Sequence, residues 1–154
     1  MDSLIPPKLI NSKFEEISTD DIKNLIYGSK LIALLFTASW CSPCTILEKE
    51  LLEIYPEANI GEKTLEVIHL SFDRKESEYK TAIANKPWLF VPFNDNFIKI
   101  MSEKFGIIAV PVLIILDRNG KVVCESGRKV IMEEGIKAVE RWATDFDNLS
   151  SYIE

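Results

Sequence analysis

The stretch Lys30-Leu31-Ile32-Ala33-Leu34-Leu35-Phe36-Thr37-Ala38-Ser39-Trp40-Cys41-Ser42-Pro43-Cys44 decides the reading of this chain. Leu31 to Phe36 is an unbroken apolar run without the alternation of a half-exposed strand. It predicts a strand from Lys30 to Thr37 that is covered on both faces of a sheet. Pro43 suits the first turn of a helix, and beyond it Ile46, Leu47, Leu51, Leu52, Ile54 and Tyr55 recur at helical spacing. Pro56 is expected to end that helix, because it lacks a backbone N–H and clashes with the preceding turn. Two cysteines with two residues between them therefore sit at a strand-to-helix junction.

Cysteines so spaced close a small disulfide ring when they straddle a first helical turn. Unpaired N–H groups and the positive end of the helix dipole favour a thiolate there, drawing the first thiol from its free value of ~8.5 toward ~7 or below. Cys41 is then the attacking nucleophile. Cys44, one turn deeper, resolves the mixed disulfide. A lone CxxC is also half of a zinc site, and Cys124 and His69 formally complete a three-cysteine, one-histidine set. Each of these stands alone in a predicted strand, whereas structural zinc sites pair two ligand knuckles. The redox reading is preferred, with no metal and no cofactor.

Working outward, residues 1–17 form a lead-in with Pro6-Pro7, in which Leu9 and Ile10 feed a small edge strand. Ser18-Thr19-Asp20-Asp21 has capping-box side chains and predicts a helix from Asp20 to Tyr27 that ends at Gly28. Leu65 to Phe72 reads as a second buried strand, Arg74 to Asn85 as a helix, and Lys86 to Phe93 as a loop. Asn96 to Phe105 is helical and stops at Gly106. Pro111 to Leu116 and Lys121 to Ser126 are strands joined by the turn Asp117-Arg118-Asn119-Gly120. Met132 to Leu149 closes the chain as a helix with Ile136, Val139, Trp142, Ala143, Phe146 and Leu149 on one stripe. The order implies an α/β protein with a central mixed sheet flanked by helices, folded as one domain over residues 1–154.

Composition narrows the function. With 154 residues, 47% hydrophobic and 27% charged, the chain can bury one core without staples. A net charge of −6 with no basic stripe speaks against nucleic acid as a partner. The apolar stretches are too short to span a membrane, and Met1-Asp2-Ser3 gives no positive flank for a signal peptide. A cytoplasmic or nuclear monomer is expected.

Two further sets of residues bring in a family. FTASWCSPC after a buried strand resembles the active-site segment of the thioredoxin superfamily, and Ile108-Ala109-Val110-Pro111-Val112 resembles its second signature. Val67 to Arg74 (VIHLSFDR), Lys86 to Asn94 (KPWLFVPFN) and Gly127-Arg128-Lys129-Val130 are similar to stretches of tryparedoxins and nucleoredoxins in the same order. The resemblance implies a thioredoxin-like fold, a cis peptide before Pro111, a Val110 backbone that pairs with substrate, and Pro111 lying against the disulfide. Arg128 resembles an arginine of that family near the substrate side and either attracts an acidic partner or is a solvated strand-end charge. Trp40, an aromatic beside the nucleophile, reads as a docking surface that shields the disulfide or as a surface aromatic packed on its loop. Trp88 and Phe93 belong either to the site rim or to the core. Three departures stand out: Ser42 replaces a proline, the Phe-Pro-Trp after GRxxV is missing, and Leu35 replaces a buried acid. Another acceptor, such as water, then has to take the proton of Cys44.

The expected function is a protein dithiol–disulfide reductase acting on disulfide-containing proteins. Its external reductant is of the thioredoxin reductase, glutathione or trypanothione type. A thioredoxin-fold binding or structural subunit of a larger assembly with little redox activity is the alternative. A peroxidase is weaker, since no Thr and Arg shell surrounds Cys41. His69 reads as a packed or hydrogen-bonded side chain, and Cys124 as an inert buried or edge thiol.

Overall fold

In the computed structural model, which describes residues 4–153, the apolar run becomes β1 (Leu31–Thr37), buried at every position. It pairs in parallel with β2 (Leu65–Ser71) and antiparallel with β4 (Val112–Asp117). β3 (Leu89–Phe90) extends the β2 edge, and β5 (Val122–Cys124) extends β4, giving the order β3-β2-β1-β4-β5. The sheet is mixed, as the element order implied.

Alternate residues of each strand face opposite sides, so the buried run feeds two cores. Leu31, Ala33, Leu35, Val67, Leu113 and Ile115 pack under α2 (Ser42–Ala58), α3 (Glu76–Ile83) and α6 (Ile136–Ile153). Ile32, Leu34, Phe36, Ile68, Leu70 and Ile114 pack under α1 (Thr19–Gly28) and α4 (Asn96–Phe105). The caps follow the sequence signals. Ser18 accepts from the Asp21 N–H, and Gly106 closes α4 in the left-handed region at φ 64°.

Expectations in four parts of the chain are corrected. First, α2 passes through Pro56 to Ala58. A proline in the last turn forfeits only one donor, and the side chain of Asn59 reinforces the exit by donating to the carbonyls of Tyr55 and Leu65 and accepting from the N–H groups of Thr64 and Leu65. Ile46 and Leu52, placed on the apolar stripe from spacing, are exposed; the buried face is Cys44, Leu47, Glu48, Leu51 and Ile54. Second, the Lys86–Phe93 loop contains β3. Of the lead-in, Ile10 bridges to Phe90 and to Glu16 rather than forming a strand.

Third, the C-terminal helix is two: α5 (Gly127–Glu134) and α6, broken at Gly135, whose φ of 62° and ψ of −138° suit glycine. Gly127 starts α5 against β4, where a Cβ would come within 2.6 Å of the Leu113 carbonyl oxygen. Fourth, Leu149 on the predicted stripe is exposed, while Ala138, Val139, Trp142 and Ala143 are buried. The expectation for Met1-Asp2-Ser3 lies outside the described residues. No described helix is long and apolar enough to cross a membrane.

Candidate active site

β1 ends at Thr37, and Ala38-Ser39-Trp40 carries the chain over its C-terminal edge into α2. Asp73 holds this loop. Its Oδ1 accepts from the Ser39 N–H at 2.8 Å and the Ser39 hydroxyl at 2.7 Å, and its Oδ2 accepts from the Ser71 hydroxyl at 3.0 Å. The Ser71 hydroxyl in turn accepts from the Asp73 N–H. The Phe72 N–H donates to the Thr37 carbonyl at 2.8 Å, extending the β1–β2 ladder by one bond. The loop before the cysteines is therefore fixed by charge-assisted bonds from the neighbouring strand.

Cys41 is the N-cap of α2, and the Cys44 N–H donates to its sulfur at 3.2 Å. In the reduced state that donor and the helix dipole stabilise negative charge on the Cys41 sulfur. The two cysteines form a disulfide with their Cα atoms 5.2 Å apart. Cys41 is 7% exposed and Cys44 not at all, and both pack with Ala38 against Phe72 and Val110. The Cys41 sulfur lies 3.7 Å from the Val110 carbonyl oxygen, and the Val110–Pro111 peptide is cis. Pro111 is buried and Val110 half-buried, whereas Trp40 is 57% and Ile108 98% exposed.

The structure thus gathers Cys41, Cys44, Val110 and Pro111, with Trp40 beside them. Arg128 is not brought in by any hydrogen bond or ion pair among the described residues. It is exposed in the first turn of α5, so its reading as a strand-end charge is corrected to a helix-start charge. Trp88 belongs to the core, 1% exposed, with its ring edge-on to Tyr55 at 5.8 Å. Phe93 is half-buried against Tyr79. Cys124 is a free, partly buried thiol on edge strand β5. Among the described residues no group of three His, Cys, Asp or Glu is placed to hold a metal.

His69 is packed between Phe90 and Tyr79, and neither ring nitrogen has a hydrogen-bond partner. Burial, with Lys86 adding to it, pushes its pKa down to about 3. Sequence reading gave no role to Asp73, Glu48 or Lys86. The Glu48 carboxylate accepts from the Thr37 hydroxyl at 3.0 Å and pairs with the Lys86 ammonium at 2.7 Å. A signal for Glu48 was present: a charged residue interrupts the core-facing positions Cys44, Leu47 and Leu51.

One sulfur is what the strand, the helix start and the opposed proline have in common. A disulfide pair held this way, at the end of a central strand of a mixed sheet and opposite a cis-proline, is the arrangement of a thioredoxin-like fold. The chain belongs to the thioredoxin-like family, whose model matches residues 28–122. Within it, the chain is similar to nucleoredoxins in sequence and to tryparedoxins in structure. It is 37% identical to probable nucleoredoxin 3 of Oryza sativa subsp. japonica over 79% of this chain and 26% of that protein. It is 33% identical to the nucleoredoxin of Xenopus laevis over 80% of this chain and 28% of that protein. The chain spans about a quarter of the length of these relatives, as the 26% and 28% coverages show. Among solved structures, native tryparedoxin I from Crithidia fasciculata superposes with a TM-score of 0.75 at 29% identity, covering 88% of this chain and 92% of that one.

Proposed function

We propose that the protein reduces disulfides of other proteins through Cys41 and Cys44, with residues 1–154 working as one domain and as a monomer. The supporting observation is the position of the Cys41 sulfur: at a helix start, beneath a backbone N–H and 3.7 Å from the Val110 carbonyl oxygen. The Cys41 thiolate attacks a substrate disulfide, forming a mixed disulfide and expelling one substrate thiolate. Cys44 then attacks the Cys41 sulfur, forming the intramolecular disulfide and expelling the second substrate thiolate. Two electrons pass to the substrate, and an external reductant of the thioredoxin reductase, glutathione or trypanothione type returns them. No metal or organic cofactor enters these steps. Substrate docks on exposed Trp40 and along the backbone of Val110, before Pro111, while Arg128 attracts acidic partners from the α5 side. The acidic chain works in the cytoplasm or nucleus, and neither nucleic acid nor a membrane is among its partners.

A Cys41→Ser protein is expected to lose reduction of insulin or of an aromatic disulfide by at least about a hundredfold; activity at the parent rate overturns the reading. Cys44→Ser is expected to hold substrates on Cys41 as mixed disulfides identifiable by mass spectrometry. The exposure of Trp40 (57%) and Ile108 (98%) favours a second reading, a docking module with little redox activity. Partner capture that survives loss of both thiols selects it.

A further inference from the structure

Between α2 and α3 a cleft of about 440 Å³ opens to solvent, lined by Thr37, Thr45, Glu48, His69 and Lys86 together with Ala38. Ala38 also packs on Cys41 and Cys44, so one residue of the cleft wall lies against the redox pair. Glu48 is 7% exposed, a burial that its pairing with Lys86 makes tolerable. It follows Cys44 by one helical turn, which puts the two side chains on the same face of α2, with Cβ atoms about 5–6 Å apart.

Resolution poses a problem that this geometry answers. Cys44 is fully buried, and its thiol has to lose a proton before the sulfur can attack. We infer that Glu48 is the proton acceptor of Cys44 in the resolving step, one turn along the same face of α2 and beside the cleft between α2 and α3. This rests on the oxidoreductase reading and adds a residue to it. The Cys44 proton passes to the Glu48 carboxylate as the Cys44–Cys41 sulfur bond forms and the bond from Cys41 to the substrate sulfur breaks. The departing thiolate carries off the electron pair, and the proton on Glu48 leaves through the open cleft to that thiolate or to solvent.

The charged and titratable groups around Glu48 fit this use. Lys86, from the segment between α3 and β3, pairs with the carboxylate at 2.7 Å. His69, from β2, is neutral at working pH and adds no competing charge. Lys49, on α2 itself, lines the outer cleft. Thr37, from β1, aims the carboxylate through its hydroxyl.

The test is stopped-flow reaction of the reduced protein with a bis-nitrobenzoate disulfide, which releases one coloured thiolate when Cys41 attacks and a second when Cys44 resolves. Glu48→Gln keeps the shape and one oxygen to accept from Lys86, with its amide NH2 left to donate to the Thr37 hydroxyl oxygen, but is not a base. It is expected to slow the second phase about tenfold or more and to make its rate rise in proportion to hydroxide from pH 6 to 9, on the scale of general-base effects. Glu48→Asp is expected to restore the parent pH profile at a reduced rate. A second phase unchanged in Glu48→Gln, or slowed equally in both variants with the parent pH profile, overturns the inference. A parent protein with no first phase overturns the oxidoreductase reading, and this inference with it.

Discussion

At the scale of single residues, Asp73 carries more of the site than its place in the sequence suggests. One carboxylate takes three hydrogen bonds from Ser39 and Ser71, and so joins the end of β2 to the loop that presents Trp40 and Cys41. In Asp73→Asn one acceptor oxygen remains and an NH2 takes the place of the other, so the Ser71 bond has to reverse or the Ser39 N–H loses its acceptor. We expect a loss of about 1–3 kcal/mol in denaturant unfolding, together with slower attack by Cys41 because the loop is no longer held. Unchanged stability and rate would mean that Ser39 finds equivalent partners elsewhere. The arrangement was only partly legible: VIHLSFDR was singled out as a stretch, but nothing in it says which carboxylate oxygen meets which serine.

Elements meet through close approaches that a pattern of apolar residues does not reveal. Gly127 begins α5 so near β4 that an added Cβ would lie 2.6 Å from the Leu113 carbonyl oxygen and 3.1 Å from the Leu113 side chain. Backbone cannot yield as a flexible side chain does. Gly127→Ala is therefore expected to cost about 1–3 kcal/mol, the usual penalty for overpacking. Gly28, at the end of α1, is the control: nothing lies within 4 Å of its Cβ position. There Gly28→Ala should be neutral or stabilise by up to ~1 kcal/mol, since alanine is the better helix former. Thermal unfolding of the two variants side by side checks both, and equal shifts would show that the Gly127 contact relaxes freely.

For the molecule as a whole, His69 couples stability to pH. Its folded pKa of about 3 lies below the unfolded value of 6.5, so between those limits the unfolded chain binds a proton that the folded chain does not. Stability from this group is present above pH 6.5 and falls on acidification toward pH 3, with a slope of up to about 1.4 kcal/mol per pH unit. His69→Leu removes the titration while keeping an apolar packing partner for Phe90 and Tyr79. The parent is expected to lose more stability than the variant between pH 7 and pH 5, read from denaturant midpoints. Parallel losses would show that His69 stays neutral in both states or is protonated in both.

The sequence by itself determined the strand–dithiol–helix unit, because an apolar run, a helix-compatible proline and an interval of two residues are local and each points the same way. It also determined the α1 and α4 caps and the hairpin between β4 and β5, which depend on neighbours a few residues apart. Tertiary structure decided what depends on distance in space: Trp88 in the core rather than at the rim, Ile46 facing solvent, and the bend at Gly135. It also decided the polar groups around Cys41 and Cys44. Asp73 and Lys86 reach the site from other elements, and even Glu48, close in sequence, becomes meaningful only once β1 and the segment before β3 close around it. Spacing encodes faces of single elements; which faces meet is set by the packing of the whole sheet.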